Sequence, residues 1–375
     1  MTFAPEIPPD VLELCTRLRA GGHEAYLVGG GVRDLLLGRP PADFDVATNA
    51  LPDRVMELFG AGFAIPTGLE HGTVTVLAGA PGAHRPVEVT TFRGEGVYLD
   101  GRRPSSVHFG ASLDEDLARR DFTMNAIAFD PLAGRLVDPW DGQGDLRRRL
   151  VRAVRDPIER FTEDGLRAMR AVRQAAQLDF TIEPGTLAAI PATLASFQKV
   201  SMERVRDELW KLLRAPAPSR GLELLRHTGM MAAFLPELLD ARAFDHEHTL
   251  RAVDEAPRDP VLRFATLLHD LRAALADDIG RRLRLSNADR DTVVGLVADL
   301  PFRYEPAWSD ADVRRFVKRI GRARLEPLFT VREAIVAARA PGTDRGAETR
   351  ALRDRIAAVA PEGTPLVASD LALSG

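Results

Sequence analysis

Leu27-Val28-Gly29-Gly30-Gly31-Val32-Arg33-Asp34-Leu35-Leu36-Leu37-Gly38 reads as a short strand, a glycine turn and a helix closed by a further glycine. Glycines at such a joint let backbone N–H groups approach an anion, and the new helix adds its positive end. The spacing fits neither the Walker nor the dinucleotide fingerprint, so the turn alone specifies only an anion-capable joint. The next segment, Asp43-Phe44-Asp45-Val46, sets two carboxylates two residues apart in an apolar run, where the strand period turns both to one face. Such a pair repels itself. Two readings stand at this point: solvated aspartates at a strand end, or hard oxygen ligands neutralised by Mg²⁺, which also binds substrate phosphates. Glu88 alternates with Val87 and Val89 and is the candidate third carboxylate, on a neighbouring strand.

Outward from these segments, residues 1–145 mix β-type runs (Ala25–Val28, Asp43–Val46, Thr73–Val76, Val87–Thr90) with helical ones between Gly and Pro punctuation, which predicts a small α/β unit. From Asp156 the spacing turns helical, with Leu166, Met169 and Val172, then Val205, Leu209 and Leu212, and the second half is expected to be all helical. Breaks at Arg214–Ser219 and Ala340–Thr343 mark joints. The 375 residues exceed what one domain of roughly 150 needs. One cysteine, Cys15, excludes a disulfide framework, and neither a leader-type amino terminus nor an apolar run of roughly 20 residues is present, so a cytoplasmic chain with no membrane partner is expected. Only Lys199, Lys211 and Lys318 are lysine among 50 basic residues, an arginine bias that GC-rich coding explains as well as phosphate binding does. With a net charge of −4, nucleic-acid affinity has to rest on local clusters such as Arg147, Arg148, Arg149, Arg152 and Arg155.

Several further stretches stand in order along the chain: Gly68-x-x-His71-Gly72-Thr73, Glu88-Val89-Thr90-Thr91-Phe92-Arg93, Asp100-Gly101-Arg102-Arg103-Pro104, Arg119-Arg120-Asp121-Phe122-Thr123-Met124-Asn125-Ala126, Glu163-Asp164-x-x-Arg167-x-x-Arg170 and Ser201-x-Glu203-Arg204. With the glycine turn and Asp43-x-Asp45 they resemble the class II tRNA nucleotidyltransferase and bacterial poly(A) polymerase family, over about residues 24 to 213. The resemblance implies an α+β fold, a β-polymerase-like nucleotidyltransferase head (1–145) followed by an all-helical neck (146–213), body and tail (214–375). It implies transfer of a nucleotidyl group from a nucleoside triphosphate to an RNA 3′-hydroxyl with release of pyrophosphate. Asp43, Asp45 and Glu88 would be catalytic, with Asp43 and Asp45 as the Mg²⁺ ligands of a two-metal site. Gly29, Gly30 and Arg33 would cradle the triphosphate, and Arg120, Asp121 and Asn125 would meet the phosphates and the ribose.

Asp164, Arg167 and Arg170 fall at i, i+3 and i+6, near one face if they share a helix. A carboxylate there accepts from the amino groups of cytosine and adenine, while an arginine donates to cytosine N3 or adenine N1; guanine and uracil present the opposite pattern and are rejected. Gly165, where the family more often has Pro or Ala, is expected to loosen that helix.

The expected product is the 3′ CCA end of tRNA, made from CTP and ATP, with the tRNA 3′ end and acceptor arm as partner and no protein partner evident. Arg147 to Arg149, Arg204 and Arg206 are candidates for backbone contacts. The rivals are enzymes adding only CC or only A, a poly(A) polymerase, and an RNA-binding module without activity. The stretch from Arg93 to Pro104 resembles the loop that CC-specific members lack in part, and Leu77–Ala83 lacks the Gly-Arg-Arg-Phe-type run usual in bacterial poly(A) polymerases. Asp245–His248 and Leu267–Asp270 resemble a metal-dependent phosphohydrolase domain appended to some relatives, without its Gly-Lys or downstream histidine; a degenerate helical domain supporting RNA binding is expected.

Overall fold

Seven short strands form the sheet around the glycine turn: β1 (Ala25–Val28), β2 (Asp45–Thr48), β3 (Ala64–Gly68), β4 (Thr73–Ala78), β5 (Arg85–Thr91), β6 (Ala128–Asp130) and β7 (Arg135–Val137), in the order β3-β4-β5-β2-β1-β6-β7. The computed structural model describes residues 5–80, 82–94, 110–240, 245–339 and 346–361. Strands β2 and β5 run parallel, and every other neighbouring pair in the sheet is antiparallel. The chain divides into two compact units, Met1–Ala171 with Asp179–Val200, and Val172–Leu178 with Ser201–Gly375.

In the first unit the strand alternation sorts residues onto two faces. Leu27, Val46, Val74, Val76, Val87 and Val89 are buried, in the register that puts them on one face. Helices α1 (Pro9–Ala20) and α3 (Pro52–Phe59) cover it, burying Leu14, Leu18, Val55 and Phe59. The opposite face is apolar only in part: Tyr26, Val28, Ala47 and Ala128 pack with Phe92 and with Leu113 and Leu117 of α4 (Leu113–Ala118). Along that same face come Asp45, Glu88, Thr75 and Thr90, none of them buried. One side of the sheet is therefore core, and the other turns acidic beyond α4. The short helix α2 (Gly30–Leu36) follows the glycine turn.

The unit continues through α5 (Gly142–Arg148), a parallel pair of β8 (Leu150–Val151) with β9 (Thr181–Ile182), α6 (Pro157–Glu163), the first turns of α7 (Leu166–Leu178), α8 (Pro184–Ala192) and α9 (Leu194–Phe197). Asp156 caps α6 through the N–H groups of Ile158 and Glu159, and Pro157 sits at its first position.

The second unit is helical throughout its described residues, as the spacing after Asp156 predicts. Helices α10 (Met202–Leu213), α11 (Pro218–His227), α12 (His246–Glu255) and α13 (Pro260–Leu267) surround Arg263, 2% exposed. Its guanidinium donates to the carbonyls of Ala256, Leu213 and Ala215 at 3.0, 2.6 and 2.7 Å. Carbonyl groups orphaned at the ends of α10 and α12 thereby gain donors. Helices α14 (Ala273–Arg282), α15 (Asn287–Asp299), α16 (Asp310–Ile320), α17 (Arg322–Arg339) and α18 (Ala347–Val359) complete the described part of the unit, with Phe302 meeting Phe316 at a tilt and Phe329 edge-on in its core. No helix among the described residues is long and apolar enough to cross a membrane.

Candidate active site

Each glycine of the turn answers to a different neighbour. Gly29 sits at φ 73°, ψ −142°, a conformation that L side chains avoid, and a Cβ there would lie 3.3 Å from Arg120 Nη1 and 3.5 Å from Asp45 Oδ2. A Cβ on Gly31 would stand 2.9 Å from the carbonyl oxygen of Asp43, so the helix start packs directly on the backbone before β2. Gly30 faces the Arg33 guanidinium. The turn thus brings together Asp43, Asp45, Arg33 and Arg120 without side chains of its own.

Asp45 opens β2, opposite Val28 on one side and Glu88 on the other. Asp43 precedes the strand by two residues and is exposed, as is Glu88. The strand therefore starts later than the alternation of Asp43–Val46 suggests, because the Asp43 carbonyl is turned toward Gly31. Burial pushes the Asp45 carboxyl up to about 6, and the charges of Asp43 and Glu88 push the same way, with Arg120 pulling partly back. Asp45 thus feels two other carboxylates and one cation, Arg120, and ionising it beside them costs free energy. A set of hard oxygen donors in that condition fits a divalent cation and fits a salt-bridged surface cluster poorly.

Arg120 reaches this corner from the end of α4, whose buried Asp116 accepts from Arg120 Nη2 at 3.1 Å and from the backbone N–H of Arg93 at 3.3 Å. Asp116, which orients Arg120, is a residue that the sequence reading does not single out. Its signal was present in the i, i+4 spacing to Arg120. On the other side of the turn, Arg33 pairs with Asp34 and donates from Nη1 to Asn125 Oδ1 at 3.0 Å. Asn125 donates from Nδ2 to Asp121 Oδ1 at 3.1 Å, and Arg170 Nε and Nη2 approach Asp121 Oδ2 at 2.8 and 2.6 Å. Burial alone would raise the Asp121 carboxyl, but the charge and hydrogen bonds of Arg170, the Asn125 bond and the charge of Arg167 outweigh it and hold it at about 2. With Phe122 N–H also donating to Oδ1, the roughly four acceptor positions of a carboxylate are taken. These partners fix the position of the Asp121 carboxylate, the group to which the resemblance assigns the ribose contact.

The base-reading trio differs from its expected layout. Asp164 does not lie on the helix of Arg167 and Arg170. It ends α6 with φ −143° and ψ 102°, and its Oδ1 accepts from the backbone N–H of Leu166 at 3.1 Å, so it caps α7 from outside. The break follows from Gly165, where a Cβ would meet the carbonyl carbon and oxygen of Ser196 at 2.4 Å and Phe197 N at 2.5 Å. Gly165 does not loosen a helix; it admits the backbone of α9. Arg167, buried, donates to Glu163 Oε2 at 2.7 Å and to the carbonyls of Arg160 and Arg119 at 3.2 Å each. Glu163 and the Arg119 carbonyl, rather than Asp164 alone, fix its direction.

Two comparisons with known families match the chain to "Poly A polymerase head domain" over residues 25–152 and to "Probable RNA and SrmB- binding site of polymerase A" over residues 179–242. The CCA-adding enzyme of Geobacillus thermodenitrificans is 42% identical over 311 residues, 81% of this chain and 74% of that protein. The crystal structure of the Bacillus stearothermophilus CCA-adding enzyme in complex with CTP superimposes with a TM-score of 0.75 at 37% identity, covering 94% of this chain and 83% of that one. The chain belongs to the CCA-adding enzyme family. Its sheet unit is accordingly a polymerase-β-like head. The match with the Levilactobacillus brevis CCA-adding enzyme, 48% identical over 223 residues, takes in 60% of this chain and only 54% of that protein, so this chain spans about half the length of some curated relatives it matches.

Other residues singled out in the sequence of this family member fall as follows. Arg148 pairs with Asp141 and Asp145, Arg152 with Asp145 and Glu183, and Arg155 stacks on Trp140, so most of the cluster at 147–155 is engaged within its own unit. The loop from Arg93 to Pro104 lies, beyond Gly94, outside the described residues. In the helical unit His248, His269 and Asp270 bring ligand atoms within 4.8 Å of one another; His248 Nε2 bonds to the Ile335 carbonyl and His269 Nδ1 to that of Thr266. His246, by contrast, pairs with Glu223.

Proposed function

We propose that this chain is a template-independent RNA nucleotidyltransferase that adds CMP, CMP and AMP to the 3′ end of tRNA from CTP and ATP, releasing pyrophosphate in the cytoplasm. The observation that carries the reading is the crowding of Asp43, Asp45 and Glu88 beside Gly29 and Arg120. Family membership supports the choice of tRNA. Head, neck, and body with tail are assigned to 1–145, 146–213 and 214–375, the last for tRNA binding.

Asp43 and Asp45 are the residues that would hold a divalent cation, Mg²⁺ by the hard-oxygen character of the donors, and such a cation would supply acidification of the RNA 3′-hydroxyl and counter-charge for the departing pyrophosphate. Glu88, the register partner of Asp45, keeps the strand end acidic and turned to the same face. Gly29 and Gly30 let the triphosphate approach the backbone, and Arg33 and Arg120 supply its counter-charge. Arg167, held by Glu163 and two carbonyls, presents donors of fixed direction, and Asp164 presents the acceptor, so cytosine and adenine edges are satisfied and those of guanine and uracil are not. Arg170, one turn beyond Arg167 on α7, lines the base site with it and is itself held by Asp121, which Asn125 holds in turn.

The test offers purified protein, with Mg²⁺, CTP and ATP, one tRNA transcript ending before CCA and a second ending in CC, with products sized at single-nucleotide resolution. Extension of both to CCA is the expected result. Extension of only the second identifies an A-adding enzyme, addition of only CC to the first identifies a CC-adding one, long adenylate runs identify a poly(A) polymerase, and no extension refutes the activity.

A further inference from the structure

Asn125 is 7% exposed, and its two amide atoms face opposite charges. A guanidinium can only donate and a carboxylate can only accept, so the oxygen must face Arg33 and the NH₂ must face Asp121. Asp121 then holds Arg170 through its second oxygen. The result is a directional chain from Arg33 on α2, through Asn125 and Asp121, to Arg170 on α7. Its ends are two cations that meet different parts of one nucleotide, the triphosphate at Arg33 and the base beside Arg167 and Arg170, an assignment that rests on the proposed function above.

We infer that Asn125 is a positioning residue that couples triphosphate binding at Arg33 to base selection beside Arg170. No other side chain of that size does both jobs. Aspartate would accept from Arg33 but set a second negative charge about 3 Å from Asp121 with no donor to offer it. Leucine fills a similar volume and leaves Arg33 Nη1 and Asp121 Oδ1 each short of a bond in a buried setting, where that loss is large. A base that displaces Arg170 pulls on Asp121, and through Asn125 on Arg33, so a misfitting nucleotide loses hold of its triphosphate as well.

The test is a set of double-mutant cycles on the full chain. Arg33→Ala, Arg170→Ala and the double variant are made in the wild-type, Asn125→Ala and Asn125→Asp backgrounds, with the Kd for CTP and for UTP measured by equilibrium binding. In the wild-type background the double variant should depart from the product of the single effects by about fivefold or more. In both Asn125 backgrounds the two effects should multiply independently, and the preference for CTP over UTP should fall. Asn125→Asp keeps the volume and the Arg33 partner, so it decides the matter if Asn125→Ala fails to fold. Unchanged coupling in Asn125→Asp, or additive effects in the wild type, overturns the inference while leaving the proposed function standing. Wild-type protein that binds neither CTP nor ATP overturns the proposed function itself.

Discussion

Asp45 in the head and Arg263 in the helical unit are both charged groups drawn out of water, and their surroundings are opposite in kind. Among the described residues Arg263 has no carboxylate at hydrogen-bond distance, and carbonyls at the ends of α10 and α12 take its N–H groups instead. Asp45 has two more carboxylates in reach and only Arg120 to offset them. The first arrangement is complete as it stands and belongs to architecture. The second leaves a carboxylate facing two like charges, and the proposed metal site rests on that condition.

The contrast breaks if the two residues respond alike to replacement. Asp45→Asn should lower nucleotide incorporation by about a thousandfold or more, the scale of losing an essential charge-stabilising group, while raising the stability of the metal-free protein by about 1–3 kcal/mol as like-charge repulsion is removed. Primer extension read beside denaturant unfolding checks both, and a fall in stability would show that the three carboxylates are not in conflict. Arg263→Met should go the other way, losing about 3–5 kcal/mol because several buried carbonyls lose their donors. Its incorporation rate per folded molecule should stay close to wild type.

A smaller effect sharpens the same comparison within the head. Asp45 has its carboxyl raised from 3.8 to about 6, so ionising it opposes folding, and metal-free protein should gain stability as the pH falls from 6 toward 4. Asp121 has its carboxyl lowered from 3.8 to about 2, so its contribution is complete above pH 4 and lost as the pH falls through 2. Unfolding free energies measured across this range should show the first slope vanish in Asp45→Asn and the second in Asp121→Asn. Two slopes of the same sign would contradict the assignment.

How legible the site is in the sequence depends on how local the cause of each feature is. The glycine turn, Asp43, Asp45 and the alternation around Glu88 are short-range patterns, and the register Asp45 to Glu88 carried them together as expected. The helical second half was equally legible from its spacing. Asp164 was misplaced because the break at Gly165 is imposed by the backbone of Ser196 and Phe197, some thirty residues away in the chain, which no local pattern reports. The expectation that Asn125 meets the nucleotide rests on a local motif, whereas its pairing with Arg33 and Asp121 comes only with the fold. The basic run at 147–155 looked available for RNA, and acids at Asp141, Asp145 and Glu183 take up much of it.

The parallel pairing of β2 with β5 has a consequence for the synthesis of the chain. Parallel neighbours cannot be joined by a tight turn, and here α3, β3 and β4 intervene, so Glu88 leaves the ribosome about forty residues after Asp45. Until β5 is laid against β2, the nascent chain carries only the Asp43–Asp45 half of its acidic cluster. The long excursion delays completion of that cluster until the strands around it have been made.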